Sequence, residues 1–248
     1  MTASVTAALL VIGDEILSGR TKDKNIGYIA DYLTAIGIDL SEVRIVPDME
    51  DEIAAAVNAL RQRYTYLFTT GGIGPTHDDI TADSIAKAFG VAIDHDPRAV
   101  ALLRERYQEH ELTAARLRMA RIPHGADLIE NPISKAPGFR IGNVIVMAGV
   151  PSIMQAMLDL VAPTLQTGAR MVVETVDAGS LGEGAYGDGL ARIAAEHAEV
   201  SIGSYPSFTS TGFNNQIVIR AKDAEAVSRV AKAVRALVES LKSDRVPL

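Results

Sequence analysis

Residues Tyr66–Thr81 read YLFTTGGIGPTHDDIT, an apolar run that breaks into a glycine loop and continues into two adjacent carboxylates. The run Tyr66–Thr70 has the length and the aromatic and β-branched content of a buried parallel strand. The glycines that follow supply positive φ angles and allow a ligand to approach the backbone closely. An apolar periodicity from Ile80 to Phe89 then predicts a helix. The stretch therefore predicts a strand, a glycine loop and a helix in that order.

The glycine loop predicts an anion site. The backbone N–H groups of such a loop and the positive end of the next helix can bind phosphate oxygens. The spacing matches neither GxxxxGK[ST] nor GxGxxG, so neither the P-loop nor the dinucleotide fingerprint applies. The alternative is a tight turn in which Asp78 or Asp79 only caps the helix. The neighbouring hydroxyls of Thr76 and Thr81 favour a site.

Composition limits the function classes. The chain has 248 residues, of which 48% are hydrophobic and 22% charged, and this length allows one or two domains. Because 31 acidic and 24 basic residues give a net charge of −7 without a basic tail, we expect no nucleic-acid partner. The absence of cysteine excludes disulfides, thiolate metal sites and cysteine nucleophiles. Since no apolar run approaches the roughly 20 residues of a membrane span, we expect a cytoplasmic protein without a membrane partner.

Two further βα units precede the glycine loop. Met1–Ile12 lacks the positive start of a signal peptide and ends in Gly13-Asp14-Glu15, so we interpret it as a first strand. Ile38–Val46 reads as a second strand, closed by Pro47-Asp48. In open α/β sheets the carboxyl ends of parallel strands meet at one edge, where ligands bind. The chain therefore predicts an α/β fold with a doubly wound, mostly parallel sheet.

Polar loops at the strand ends are further candidates. Ser18–Asn25 is rich in hydrogen-bond donors and is either a surface loop in which Asn25 caps a helix or a second wall of an anion site. Asp48 likewise either caps the next helix or faces a ligand. Asn131–Phe139 contains two prolines and a glycine, and it is either a loop that only forms turns or a loop that lines a substrate site.

The middle of the chain carries many arginines. Helices are predicted from Pro97 to Tyr107 and from about Glu111 to Arg121, and a turn over Arg140–Asn143 precedes the buried strand Val144–Met147. Because glutamates interleave with the arginines, we interpret the helices as a solvated, salt-bridged face. These arginines are Arg98, Arg104, Arg106, Arg116, Arg118 and Arg121.

The composition changes near Thr167-Gly168. Beyond it, the pattern predicts β–α–β–β–α, the order of a small ferredoxin-like α+β domain. We therefore expect two domains, 1–168 and 169–248. The predicted elements are strands Met171–Val176, Val200–Ser204 and Gln216–Arg220 and helices Leu190–His197 and Ala224–Leu241, with a glycine-rich stretch at Gly179–Asp188.

Several motifs carry a family resemblance. Gly13–Gly19 with Asp23–Asn25, Val46–Asp48 and Thr70–Thr81 together resemble the three-layer MoaB/Mog molybdopterin-binding superfamily. They are more similar still to its CinA-type competence/damage-inducible branch and to the N-terminal domain of eukaryotic FAD synthases. Longer CinA proteins add a deamidase domain for which 248 residues leave no room, so we expect that activity to be absent. The same branch is matched by Asn131-Pro132, Ala136–Phe139, Gly149–Ser152 and Gly203–Pro206, although Ala148–Pro151 departs from the Leu-Pro-Gly-Pro-Pro run of many members.

The resemblance implies a ligand and an activity. Relatives adenylylate molybdopterin, and CinA-like and FAD-synthase-like members are credited with divalent-metal-dependent cleavage of pyrophosphates such as ADP-ribose or FAD. It thus implies a nucleotide pyrophosphatase that uses Mg, Mn or Co, the alternative being a non-hydrolytic molybdopterin- or nucleotide-binding protein. It also implies a homo-oligomer, either dimer or trimer. By motif position, Asp79 and Asp48 match the catalytic and metal-binding carboxylates. The candidate ligand-binding residues are Asp14, Ser18, Lys24, Asn25, Gly71, Gly72, Gly74, Thr76, Asp78, Ser134, Gly138, Gly149 and Pro151.

Overall fold

The computed structural model describes residues 4–209 and 212–243. The chain divides into two compact units, the first ending at Gly168 and the second beginning at Ala169. The strands of the first unit are β1 (Thr6–Ile12), β2 (Asp39–Val46), β3 (Tyr66–Thr70), β4 (Ile93–His95), β5 (Arg121–Pro123), β6 (Asp127–Ile129), β7 (Gly138–Ile141) and β8 (Val144–Met147). Its α-helices are α1 (Asp14–Leu17), α2 (Asn25–Ile36), α3 (Glu50–Arg63), α4 (Thr81–Phe89), α5 (Pro97–Arg104), α6 (Ala114–Arg118) and α7 (Pro151–Val161). The predicted first strand thus begins at Thr6, and its residues 1–3 lie outside the described chain.

A six-stranded sheet in the order β2-β1-β3-β8-β7-β6 forms the middle of the first unit. The first four strands are parallel, and β7 and β6 add an antiparallel edge. Alternate residues of β1 point to opposite faces, as the period of a strand requires. Leu10 belongs to a core with α3, α4 and α5, whereas Leu9 belongs to a core with α2 and α7. This three-layer arrangement confirms the predicted α/β fold.

Two elements of the first unit differ from their prediction. The prediction of a turn over Arg140–Asn143 is wrong in part, because β7 runs to Ile141 and pairs antiparallel with β8. Phe139 and Ile141 are both buried, so strand periodicity begins inside the proline- and glycine-rich stretch. The predicted Glu111–Arg121 helix is also wrong. It divides into a 3₁₀ turn at Glu109–Glu111, α6 and β5, and Thr113 starts α6 by accepting a hydrogen bond from the Arg116 amide at 3.3 Å.

The second unit is a small α+β unit. Its elements are β9 (Val172–Gly179), α8 (Glu183–Glu196), β10 (Ser201–Thr209), β11 (Gly212–Ala221) and α9 (Ala224–Ser243). The antiparallel sheet has the order β10-β11-β9, which is the split β-α-β arrangement of a ferredoxin-like fold, as predicted.

One helix of the second unit is longer than predicted. α8 begins at Glu183, inside the glycine-rich stretch, whereas the predicted helix begins at Leu190. A Cβ at Gly189 would lie 2.6 Å from Leu237 of α9, so the missing side chain allows the two helices to pack closely. Within residues 4–209 and 212–243, no helix combines the length and the apolar character needed to cross a membrane.

Candidate functional site

The ends of three neighbouring parallel strands meet around Gly71, which follows β3. Gly71 has a φ of 103°, and a Cβ at this position would lie 2.1 Å from the carbonyl oxygen of Ile12 at the end of β1. A Cβ at Gly149, just after β8, would lie 3.2 Å from the Cα of Gly71. Only glycine allows both approaches. The strand ends thus converge at one edge of the sheet, as the sequence predicts.

The glycine loop is fixed to the start of α4. Gly72 has a φ of 66°, and the amide of Thr81 donates to its carbonyl oxygen at 3.0 Å. The Thr81 hydroxyl donates to the Gly71 carbonyl oxygen at 2.9 Å, and Thr81 is completely buried. Two backbone carbonyls of the loop are therefore bound by one threonine, which sets the loop conformation before any ligand arrives.

Asp79 is held by Thr76. Its Oδ2 accepts hydrogen bonds from the amide and the hydroxyl of Thr76, at 2.8 and 2.5 Å. A Cβ at Gly74 would lie 2.6 Å from the same Oδ2, so glycine leaves room for this carboxylate. The interpretation of Asp78 or Asp79 as a helix cap is wrong, because α4 starts after Ile80 without a side-chain cap. The Asp79 carboxylate is therefore held by Thr76 and does not bind the start of α4.

Asp48 is bound to the end of the neighbouring strand instead of capping α3, whose N-cap is Met49. Its Oδ2 accepts a hydrogen bond from the amide of Asp14 at 2.9 Å. Burial raises the pKa of the Asp48 carboxyl, and the negative charges of Asp14, Glu15 and Asp78 act in the same direction, against the lowering effect of the Asp14 amide. Asp48 therefore lies in a partly desolvated, acidic environment.

The Asn25 loop also differs from the capping interpretation. α2 begins at Asn25 with Lys24 as its N-cap, and Asp23 Oδ1 accepts hydrogen bonds from the amides of Asn25 and Ile26 at 3.0 and 2.7 Å. Asn25 is buried, with 4% exposure, and its Nδ2 donates to the carbonyl oxygen of Gly149 at 2.8 Å. Within the described chain, Asn25 Oδ1 and the buried Thr70 hydroxyl have no hydrogen-bond partner. Asn25 joins the start of α2 to the loop after β8.

Cavities adjoin this edge of the sheet. The Asn25 cavity, of about 230 Å³, is bordered by Ile12, Lys24, Asn25, Thr70 and Gly149 among others. The Asp79 cavity, of about 620 Å³, is bordered by Gly71–Pro75, Asp79, Ser134 and Pro151 among others. Both cavities share Gly71 and Gly149. Backbone groups of the glycine loop and the Asp79 carboxylate therefore border one space.

The predicted site residues fall into two sets. The Asp79 cavity is bordered by Gly71, Gly72, Gly74, Asp79, Ser134, Gly149 and Pro151, and the Asn25 cavity adds Lys24 and Asn25. The remaining candidates border neither cavity, although all lie in the described chain, and these are Asp14, Ser18, Asp48, Thr76, Asp78 and Gly138. Gly138 instead allows β7 to approach β8, since a Cβ there would lie 2.3 Å from the Val146 carbonyl oxygen. The roles of both sets stay predictions.

Sequence reasoning missed Tyr107, Arg116 and Met119, which form a second wall of the Asp79 cavity together with Asn131, whose loop is predicted as a possible substrate wall. Arg116 is predicted on a solvated, salt-bridged face, and its Nη1 does lie 3.7 Å from Glu111 Oε1, but its guanidinium also lies 4.2 Å from the centroid of the Tyr107 ring. Its Nη1 donates to the carbonyl oxygen of Glu111 at 2.7 Å. No local signal distinguishes Arg116 from the other arginines, because its position depends on the 3₁₀ turn that separates it from α5.

The Asn131 loop, residues 131–137, completes this wall. Asn131 is buried, its Oδ1 accepts from the amides of Ile133 and Ser134 at 3.0 and 3.1 Å, and its Nδ2 donates to the Ala136 carbonyl oxygen at 3.0 Å. Lys135 has a φ of 63°, an uncommon conformation for a residue with a side chain. One buried amide therefore organises the loop that presents Ser134 to the cavity.

The side chains present can be compared with the ligands that the implied divalent metal needs. Within residues 4–209 and 212–243, no three His, Cys, Asp or Glu side chains group in a way that could hold a metal ion. Mg²⁺ often binds through only one or two carboxylates when phosphate oxygens complete its shell. Asp79 borders the Asp79 cavity and could supply one carboxylate in that second case, whereas Asp48 borders neither cavity. The two carboxylates do not form a metal site by themselves.

Comparison with known proteins agrees with this fold. Residues 8–167 match the family model described as probable molybdopterin binding domain, and residues 170–247 match the one described as FAD synthase, middle domain. The crystal structure of the CinA protein of unknown function from Thermoplasma acidophilum is 35% identical and superimposes with a TM-score of 0.62, covering 65% of this chain and 99% of that one.

Full-length relatives extend the comparison to both units. A protein of Thermoplasma acidophilum is 30% identical over 256 residues, which cover 95% of this chain and 98% of that protein. A probable FAD synthase of Caenorhabditis elegans is 30% identical over 259 residues, which cover 94% of this chain but only 50% of that protein. The chain therefore spans about half the length of the FAD synthases it matches. It belongs to the MoaB/Mog family of probable molybdopterin binding domains, in the CinA-like branch that is related to FAD synthases.

Proposed function

We propose that the first unit binds the phosphate groups of a nucleotide in the Asp79 cavity and hydrolyses a pyrophosphate bond of an ADP-ribose- or FAD-like substrate. The observation that supports this most directly is the placement of Gly71–Gly74 and Asp79 around one cavity of about 620 Å³. Preset backbone N–H groups bind phosphate oxygens without reorganisation, which is how many sites stabilise phosphoryl transfer.

Each residue has a defined part in this proposal. The glycine loop holds the phosphate oxygens, and Thr76 fixes the Asp79 carboxylate through Oδ2. Asp79 orients a water molecule whose oxygen attacks one phosphorus, so that the bridging P–O bond breaks and two monophosphates form. Asp79 and Asp48 would hold a divalent cation, Mg, Mn or Co, together with phosphate oxygens, and the bound ion neutralises negative charge on the phosphoryl group.

The names of the relatives support a nucleotide ligand. Those matched along both units include proteins named probable FAD synthase, and FAD contains a pyrophosphate bond. The family description, probable molybdopterin binding domain, supports a phosphate-bearing pterin as another occupant of the same loop. The function also implies a small-molecule partner, a homo-oligomer and a cytoplasmic location, which are parts of the same proposal.

A second candidate is a non-hydrolytic molybdopterin- or nucleotide-binding protein linked to molybdenum cofactor biosynthesis. The observation that favours it is the donor set: within the part of the chain that the structure describes, the acids do not group into a complete metal site. A site that only binds phosphate needs the glycine loop but does not need a carboxylate pair.

The first experiment measures nucleoside monophosphate release from ADP-ribose, FAD and NAD with Mg²⁺, Mn²⁺ or Co²⁺, and with a chelator as control. Turnover that requires the metal supports the pyrophosphatase. If the protein is folded, binds one of these ligands and releases no product under any condition, the binding protein is supported and hydrolysis is rejected.

Replacing one carboxylate separates the candidates more sharply. We expect Asp79→Ala to lower kcat on the order of 10²–10³-fold, because the variant loses the group that orients the attacking water. Asp31→Ala, at an exposed position of α2, is the matched control and should keep full activity. If Asp79→Ala changes only the dissociation constant and leaves kcat intact, Asp79 is not catalytic.

A further inference from the structure

Arg116 is the cation of the Asp79 cavity. Among the described residues that border this cavity, it is the only lysine, arginine or histidine, and Glu15 and Asp79 border the same space. A phosphorylated ligand that enters beside two carboxylates meets repulsion unless a positive group lies within reach. Arginine is well suited to compensate for this, because its planar fork of N–H donors matches two phosphate oxygens at once.

The Arg116 side chain is held in place before a ligand binds. The Tyr107 ring supports one face of the guanidinium at 4.2 Å, and Nη1 donates to the carbonyl oxygen of Glu111 at 2.7 Å and lies 3.7 Å from Oε1 of the same residue. Within the described chain, its Nε and Nη2 donate to no protein acceptor. An arginine that is already ordered loses little side-chain entropy on binding, so more of its interaction with the ligand contributes to affinity.

The two walls of the cavity therefore offer two separate phosphate-binding groups. The glycine loop supplies backbone N–H groups, and the segment that contains Tyr107 and Arg116 supplies a charged fork. A monophosphate can occupy the loop alone, whereas the second phosphate of a diphosphate extends into the cavity that Arg116 borders. We propose that Arg116 binds this second phosphate and makes the site selective for diphosphates over monophosphates, an inference that rests on the proposed function of the cavity.

The test compares ADP, AMP and adenosine, which differ from one another only in phosphate number, by calorimetric titration at constant Mg²⁺. We expect Arg116→Ala to weaken ADP binding roughly 10- to 100-fold, as for a lost hydrogen bond to a charged group, and AMP binding less than threefold. Arg116→Lys keeps the charge without the fork and should recover part of the ADP affinity. Arg104→Ala is the matched control, because Arg104 pairs with Glu109 nearby but does not border the cavity.

The outcomes separate this inference from the function on which it rests. If the unmodified protein binds ADP more tightly than AMP and Arg116→Ala removes that preference, the inference holds. If Arg116→Ala leaves ADP affinity unchanged, or weakens ADP and AMP equally, Arg116 is not the diphosphate-selective group and only this inference fails. If the unmodified protein, folded by circular dichroism, binds neither nucleotide, the nucleotide site itself is rejected and the role of Arg116 with it.

Discussion

The two walls of the Asp79 cavity are built in different ways. On the first wall, Gly71 and Gly72 present backbone atoms, and their contacts with Ile12 and Thr81 leave no space for a side chain at either glycine. On the second wall, long side chains such as Arg116 rest on other side chains and on single backbone carbonyls. The first wall depends on backbone geometry, and the second on side-chain contacts within residues 107–116 and 131–136. Substitutions should therefore damage the two walls to different extents.

The largest effect is expected on the first wall, from Gly71→Ala. A Cβ would lie 2.1 Å from the Ile12 carbonyl oxygen, so strand β1 or the loop must move, and we expect the free energy of unfolding to fall by about 3 kcal/mol or more. Gly125→Ala is the control, because Gly125 also has a positive φ, 84°, but nothing lies within 4 Å of the added Cβ. Urea denaturation should give a loss of about 1 kcal/mol for this control, and equal losses would contradict the steric explanation.

On the second wall, Asn131→Ala tests the loop. The variant leaves the Ile133 and Ser134 amides and the Ala136 carbonyl without their partner, so we expect a loss of about 2 kcal/mol of unfolding free energy and weaker ligand binding. Asn143→Ala should cost a similar amount, because Asn143 donates to the Arg61 and Tyr64 carbonyls, yet it should leave ligand affinity unchanged. A similar loss of affinity in both variants would show that general destabilisation is the cause.

A smaller effect is expected at Thr76, which holds the carboxylate of the proposed catalytic residue Asp79. Thr76→Val removes the hydroxyl donor to Asp79 but keeps the amide donor, so we expect kcat to fall about fivefold to tenfold, which corresponds to one hydrogen bond of about 1 kcal/mol. Thr76→Ser keeps the hydroxyl and should keep the activity. Unfolding free energy should change by less than about 0.5 kcal/mol, because Thr76 is exposed. If the valine variant is fully active, the hydroxyl does not position Asp79.

The smallest effect concerns α5, which leads into the second wall. Asp96 caps this helix by accepting a hydrogen bond from the Arg98 amide, and the Arg98 guanidinium lowers the pKa of the Asp96 carboxyl. Because the folded state favours the ionised form, the stabilisation is present above the unfolded pKa and is lost as the pH falls through the lowered folded value.

Asp96→Ala should therefore cost about 1 kcal/mol of unfolding free energy near pH 7 and progressively less below about pH 4. The measurement is urea denaturation of both proteins over this pH range. A difference that stays constant down to pH 2 would show that the charge of Asp96 does not contribute.

The same contrast explains what could be predicted from the sequence. The strand, glycine loop and helix over Tyr66–Thr81 could be predicted, because strand length, positive φ and close approach each restrict the residue type locally. The residues that bind the helix starts could not be predicted. Asp23 accepts hydrogen bonds from the first amides of α2 although Asn25 is the predicted cap, and Asp48 binds the Asp14 amide, since several adjacent polar residues could serve and the folded structure decides among them.

The part of the second wall formed by Tyr107 and Arg116 could not be predicted for a related reason. Arg116 and the other arginines have similar charged neighbours in the sequence, and only the packing of the 3₁₀ turn against Tyr107 distinguishes it. The β7 strand was missed because a proline- and glycine-rich loop leads directly into it. Where a position depends on how side chains pack and not on the local backbone conformation, hydrophobic periodicity and turn residues contain no information about it.

The close contact between Gly71 and Gly149 has an evolutionary consequence. Since a Cβ at Gly149 would lie 3.2 Å from the Cα of Gly71, a larger residue at Gly149 requires the Gly71 loop to move, and Gly71 is itself restricted by the Ile12 carbonyl oxygen. Changes in ligand preference are instead open to the segment around Arg116 and to the Asn131 loop, where side chains can be exchanged while the sheet stays intact. The glycine loop therefore limits change in the fold, whereas substitutions in the second wall can change which substrate binds.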